Sequence, residues 1–264
     1  MACALGGWFV EPLDLSNAVL MYQLRLDYSR FECSAESCAN LSNLRSSDPI
    51  SFEGSKFTGT LNMRGAEIKD LFMNSAEFTS GVDLVSAEIG GQLSISQVKF
   101  NDLLDMDRLQ VDGDLFMSDA EFGKDVSLVF SNLNSSLDLS YSTFASFDLT
   151  GTQIRGPLVL NGTSWSEGAQ LMLADTAAGI LQYTEEAWPK KLDLNGFTCA
   201  SLSRVMKNGN PVDRDLFDAS WFKCWLARQE QYAPQPYEQL ANVLLKQGYE
   251  KESRDTLHAS RERT

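Results

Sequence analysis

The chain has 264 residues, 43% of them apolar, and a formal net charge of −14. The apolar share supplies a sizeable core and excludes wholesale disorder. The acidic balance excludes a direct binder of DNA, RNA or anionic lipid, each of which needs basic surface; no apolar run approaches the roughly 18 residues of a transmembrane helix.

Residues 1–12 are read as a lead-in. The run Met1–Val10 is apolar but short and lacks a basic n-region, so it makes a poor export signal and the expected location is cytoplasmic. The five cysteines, Cys3, Cys33, Cys38, Cys199 and Cys224, are odd in number and scattered, which predicts reduced and mostly buried thiols. Cys33 and Cys38 have no second pair and no nearby histidine, so no zinc site is expected.

Residues 13–203 carry an internal repeat. One apolar series runs Ile68, Phe78, Ile89, Phe100, Val111, Phe122, Leu133, Phe144, Ile154, Trp165 in steps of 10 or 11. A second runs Met63, Met73, Leu84, Ile95, Met106, Met117, Leu128, Leu139, Leu149, Leu160 in the same steps. Mostly small residues, such as Ala66, Ala76, Ala87 and Ala120, precede the first series by two, and the second sits in L-x-L-like pairs such as Leu137-Asp138-Leu139. An 11-residue period also suits a right-handed coiled coil. The Gly, Ser, Asp, Asn and β-branched content opposes long helices, and the in-out-in alternation of each L-x-L is strand-like. The expected structure is mainly β: a coil that turns a corner about every five residues, with about 22 residues per turn and roughly eight turns. The register slips near 32–50 and 166–190, where loops or bulges are expected on one face.

From Asp213 the pattern becomes helical. Phe217, Trp221, Cys224, Trp225 and Arg228 form one stripe. Pro234 and Pro236 punctuate, a second helix carries Tyr237, Leu240, Ala241, Leu244 and Leu245 on one face, and Gly248 is its stop. A third helix covers about 249–262. Residues 204–264 are therefore expected to form an α-helical cap over an open sheet end. The sharper reading makes Trp221, Trp225 and Tyr237 a docking or homodimer face.

The units Ala66-Glu67-Ile68, Ala76-Glu77-Phe78, Ala87-Glu88-Ile89 and Ala120-Glu121-Phe122 resemble those of the pentapeptide-repeat proteins, with an extra residue in every second unit. The resemblance implies a right-handed quadrilateral β-helix from a bacterium or phage, and helices two and three resemble a tetratricopeptide-like hairpin. The order Ala187-Trp188-Pro189, Leu192-Asp193-Leu194-Asn195-Gly196-Phe197 and Ala233-Pro234-Gln235-Pro236-Tyr237 also resembles a bacterial group labelled membrane-associated oxidoreductase. No G-x-G-x-x-G, flavin or haem motif accompanies it, so no cofactor is expected.

No enzyme is expected either. The only histidine, His258, lies in the last helix among Arg254, Asp255 and Arg261, which leaves no Ser-His-Asp or Cys-His arrangement. Asp102, Asp105, Asp107, Asp112 and Asp114 match no calcium loop, and outward acids on successive faces diverge, so no metal site is expected. Residues 204–264 hold ten basic and nine acidic residues, so residues 1–203 carry a net charge of −15. One turn apart, Asp83, Asp105 and Asp148 stack on one face with Ser127 interrupting. Glu67 and Glu88 stack on another, and Glu77, Lys99 and Glu121 alternate on a third. Acid columns at about 4.8 Å approach the phosphate spacing of about 3.4 Å per strand. Some pentapeptide-repeat proteins mimic DNA in this way, so the resemblance implies a basic partner, a nucleic-acid enzyme that the protein inhibits or protects. The competing expectation is a scaffold that recruits a protein through its C-terminal helices, within a membrane-associated assembly.

Overall fold

The computed structural model describes residues 2–3, 6–33, 37–205 and 219–263. It is a right-handed β-solenoid of about nine turns with a quadrilateral cross-section and short C-terminal helices. We number its sides in the order the chain meets them. Ala2–Cys3 opens side 1, Trp8–Phe9 side 2, Leu13–Asp14 side 3 and Val19–Leu20 side 4. The strand pairings are parallel and join strands one turn apart, as in Glu67↔Glu88, Phe78↔Phe100 and Leu93↔Leu115. The lead-in is therefore part of the solenoid: Ala2 pairs with Leu24 and Trp8 with Arg30.

Corner chemistry explains the period of 11. The corners after sides 1 and 3 are four-residue turns in which Ala76 N–H donates to Met73 O, Ala87 to Leu84 and Thr152 to Leu149. Their third residues have positive φ: Ser75 58°, Ser86 57° and Gly151 71°. This is a type II turn, and it sets inward residues three apart. The corners after sides 2 and 4 hold three outward residues, for example Thr79–Gly81, and set inward residues four apart, Phe78 to Val82. That is the extra residue of every second unit. Where such a corner drops a residue, between Ile68 and Leu71 or between Phe144 and Phe147, the step falls to 10.

Glycine answers two demands at some corners. At Gly162 (φ 65°) an added Cβ would lie 2.7 Å from the ring of Tyr141 on the preceding turn, and at Gly151 2.3 Å from the ring of Phe130. A non-glycine residue there would meet both the left-handed penalty and an aromatic ring.

The inward residues form continuous ladders. Ring centroids along side 2 run Phe9, Phe31, Phe57, Phe78, Phe100, Phe122 and Phe144 at separations of 4.6, 4.2, 5.0, 4.6, 5.4 and 4.7 Å. The two slips are insertions. Cys33–Cys38 lengthens one turn, so that Leu24 pairs with Ile50, and Ser166–Ala169 lengthens another, so that Phe147 pairs with Leu171.

Three helices close the far end: α1 (Ala219–Leu226), α2 (Pro234–Lys246) and α3 (Glu250–Glu262). Glutamines replace the missing next strand. Leu202 N–H donates to Gln247 Oε1 at 3.0 Å while Gln247 Nε2 donates back to Leu202 O at 2.9 Å. Gln239 Nε2 donates to Cys199 O at 2.9 Å, and Gln235 bonds Gly196 N–H and Phe197 O. Trp225, Phe222, Leu226 and Tyr237 are buried against this end. Gly248 stops α2 as expected: its N–H donates to Leu245 O and that of Tyr249 to Leu244 O, a Schellman closure.

Several expectations change. Cys33 and Cys38 are joined by a disulfide, their Cα atoms 5.5 Å apart. Disulfides persist in oxidising compartments, so the expectation of reduced thiols fails at this pair. Cys199 is a buried free thiol, its pKa pushed up to about 12 by burial, whereas Cys224 is exposed on α1, off the apolar stripe. Leu245 is also exposed. Strand pairing continues to Arg204, one residue past the expected boundary at 203. Phe217 and the start of the expected first helix at Asp213 lie outside the described residues. No helix of the described residues is long and apolar enough to cross a membrane.

Candidate protein-binding face

The three acid columns fall on three sides. Side 4 carries Arg45, Glu67, Glu88, Gln110, Asn132 and Gln153 in line. Side 2 carries Arg30, Lys56, Glu77, Lys99, Glu121 and Thr143. Side 3 carries Asp14, Asn40, Asn62, Asp83, Asp105, Ser127, Asp148, Met172 and Asp193. The expected stacks Asp83–Asp105, Glu67–Glu88 and Glu77–Lys99–Glu121 are all present.

Their electrostatics differ. Glu67 pairs with Arg45 at 3.1 Å, Glu77 with Lys56 at 3.2 Å, Glu121 with Lys99 at 3.4 Å and Asp83 with Arg64 at 3.0 Å. These are exposed pairs, worth little in stability, but they cancel charge. Sides 2 and 4 are thus largely self-neutralised. Among the described residues, Glu88, Asp105 and Asp148 have no cationic partner within ion-pair distance.

Side 3 acids also have a structural task. Each Asp or Asn of that column accepts the N–H two residues on: Asp14 from Ser16 at 2.9 Å, Asn40 from Ser42 at 3.2 Å, Asn62 from Arg64 at 3.1 Å, Asp83 from Val85 at 2.9 Å, Asp105 from Asp107 at 3.1 Å, Asp148 from Thr150 at 2.8 Å and Asp193 from Asn195 at 3.0 Å. The local bond offers the backbone a turn at this corner. It holds Asp14 below the usual carboxylate range. Amide and carboxylate serve equally as acceptors, so the aspartates exceed what the turn needs.

One aspartate that the sequence reading weighed only for calcium joins this column. Asp107, half-buried at the next corner, accepts from Val129 N–H at 3.0 Å and from the Ser127 hydroxyl. It brings a third carboxylate beside Asp105 and Asp83. Burial raises the Asp105 pKa, and the like charges of Asp107 and Asp83 add to it, against the Asp107 N–H bond and Arg64. Asp112 and Asp114 face elsewhere: Asp112 accepts from Asn134 at 2.7 Å, and Asp114 from the Ser135 and Ser136 hydroxyls, which lower its pKa.

The raised pKa gives a signed prediction. A folded pKa above the unfolded one favours the folded state below the unfolded pKa, and that gain is lost as pH rises through the folded pKa. At neutral pH the ionised Asp105 is therefore a liability. Asp105→Asn keeps the turn acceptor and removes the charge. It should raise stability at pH 7 by about 0.5 kcal/mol, the scale of a stacked like-charge pair. Urea midpoints should separate at pH 7 and converge at pH 3.

The helical candidates lie elsewhere. Trp221 stacks on Tyr183 at 4.9 Å, and Trp225 meets Trp188 edge-on at 5.1 Å. Arg228 donates to Trp188 O and Pro189 O, both at 2.9 Å, and burial lowers its pKa. Trp225 and Tyr237 are buried and Trp221 is half-buried, so this cluster is the seam between cap and solenoid and not an exposed docking face. In comparisons with known proteins, no protein-family model matches the chain and no curated protein is significantly similar to it in sequence.

Proposed function

We propose that the protein is a non-enzymatic, protein-binding solenoid whose side 3 receives a basic protein. The observation that carries this is the cluster Asp83, Asp105, Asp107 and Asp148, in which three of four carboxylates lack a cationic partner although amides would serve the turns. A solenoid fold is consistent with such a scaffold. The chain's acidity, its spacing of about 4.8 Å per strand and its resemblance to pentapeptide-repeat proteins support a finer reading. In it the column imitates a nucleic-acid backbone and inhibits or protects an enzyme that binds DNA or RNA.

The test uses the immobilised full chain and bacterial lysate, with elution by duplex DNA and separately by salt. A nucleic-acid enzyme released by DNA at modest salt is expected, since a partner held by charge leaves as ionic strength rises. Its dissociation constant should rise about tenfold or more for the triple variant Asp83→Asn, Asp105→Asn, Asp148→Asn, with an unchanged circular dichroism spectrum because every turn acceptor survives. A partner that ignores DNA and withstands high salt, or binds the variant equally well, removes the mimicry.

A further inference from the structure

The two ends of the solenoid are finished differently. At the C-terminal end three glutamines and an aromatic seam occupy the last strands. At the other end Ala2–Cys3, Trp8–Phe9, Leu13–Asp14 and Val19–Leu20 are the terminal strands of all four sides, and no described residue pairs with their outer edges. The core ladders stop there half-covered: Phe9, Leu13, Leu15 and Leu20 pack on the core but are only partly buried. Around the same turn stands a collar of exposed large apolar side chains. Trp8 is 70% exposed, Val19 65%, Met21 73% and Tyr22 69%, with Val10 and Tyr28 also exposed. An open parallel edge with an apolar rim is a surface that folded proteins keep covered.

We propose that this end is the interface of a head-to-head dimer of the chain. Two features select a second copy as the occupant. The edge consists of four short strands set around a square, and a matching edge with that outline is the same end of another copy. A two-fold axis normal to the solenoid reverses the chain direction around the square, so facing strands run antiparallel and their unpaired N–H and C=O groups can meet on the sides that the coil's rise of one strand per turn brings level. Charge then selects which axis. The axis crossing sides 2 and 4 sets Trp8 against Trp8 and Val19 against Val19. It places Asp14 of side 3 opposite the uncharged Ala2–Cys3 of side 1. The axis crossing sides 1 and 3 would set Asp14 against Asp14. The favoured arrangement closes, so assembly stops at two copies. It leaves side 3 exposed on both, and the dimer presents two acidic columns on one rod.

The experiment is sedimentation velocity of the full chain over a wide concentration range at moderate salt. A species of twice the chain mass is expected. The variant Trp8→Lys/Val19→Lys changes exposed side chains only, so it should keep its circular dichroism spectrum and sediment as a monomer, with dissociation at least about a hundredfold weaker in affinity. Trp8→Gln alone gives the same test if the double variant does not fold. Leu245→Lys/Leu257→Lys, on the exposed helices of the opposite end, should remain dimeric. A monomeric wild type, a dimer that survives the Trp8 and Val19 changes, a dimer abolished by the helix changes, or polymers that grow with concentration would each overturn the proposal.

Discussion

Phe100→Ala should lower stability by about 3–5 kcal/mol, the range for emptying a buried aromatic site. Phe100 is fully buried and its ring stacks between Phe78 at 4.6 Å and Phe122 at 5.4 Å. In a solenoid each turn contacts only its neighbours, so stability is a sum of turn and interface terms. Removing one ring from mid-ladder weakens two interfaces at once, and the backbone ladder on either side resists collapse into the void. The loss should also be local. Amide exchange should quicken most in the turns that contain Phe78, Phe100 and Phe122 and least in the capped turns near Leu192. Phe9→Ala, at the half-covered end of the same ladder, should cost less in monomeric protein. Equal costs at both positions, or uniform acceleration of exchange, would contradict the nearest-neighbour account.

The repeat was legible because burial acts at fixed spacing. Every residue of the two apolar series from Ile68 to Leu160 lies inside, and the stacks Glu67–Glu88 and Asp83–Asp105 follow from counting alone. Corner geometry was less so. The left-handed position is held by Gly at 54, 65, 151 and 162 but by Ser75, Gln97, Arg108, Phe130 and Tyr141 elsewhere. The fold enforces that conformation through the turn bond and the ladder, so residue type signals it weakly. The Cys33–Cys38 pairing was hidden because these two residues lie where the repeat is interrupted, and periodicity does not specify distances there. The first two sides, read as a lead-in, escaped notice for another reason: the outward Trp8 is apolar, which blurs the alternation there.

The candidate face was half legible. Columns of acids are visible in the sequence, but their net charge depends on which cations lean across from neighbouring turns. Arg45, Lys56, Arg64 and Lys99 each neutralise an acid one turn later, which leaves side 3 with the surplus. The helical residues misled because a strong apolar stripe reads the same whether it docks a partner or the chain's own end. The first turn of α2 carries Gln235, and Gln239 and Gln247 continue that edge. Glutamine at those positions was the available signal that the helices replace a strand.

Gln239→Ala/Gln247→Ala should lower stability by roughly 3 kcal/mol and loosen the cap before the solenoid melts. Gln247 satisfies both the N–H and C=O of Leu202, and Gln239 the C=O of Cys199, at a buried edge. Truncation leaves those backbone groups unpaired, at about 1–3 kcal/mol for a buried group. The apolar seam of Trp225, Phe222, Leu240 and Leu244 still holds, so the cap should fray and stay attached at low denaturant. Tryptophan emission from Trp188, Trp221 and Trp225 should then shift at a lower urea concentration than the β-sheet dichroism, whereas in the wild type the two transitions run closer together. Gln247→Glu separates the two bonds. Its carboxylate accepts from Leu202 N–H but cannot donate to Leu202 O and repels it, so it should fall at least as far as Gln247→Ala alone. A Gln247→Glu variant as stable as wild type would mean that helix packing, and not the glutamine acting as a substitute strand, terminates the solenoid.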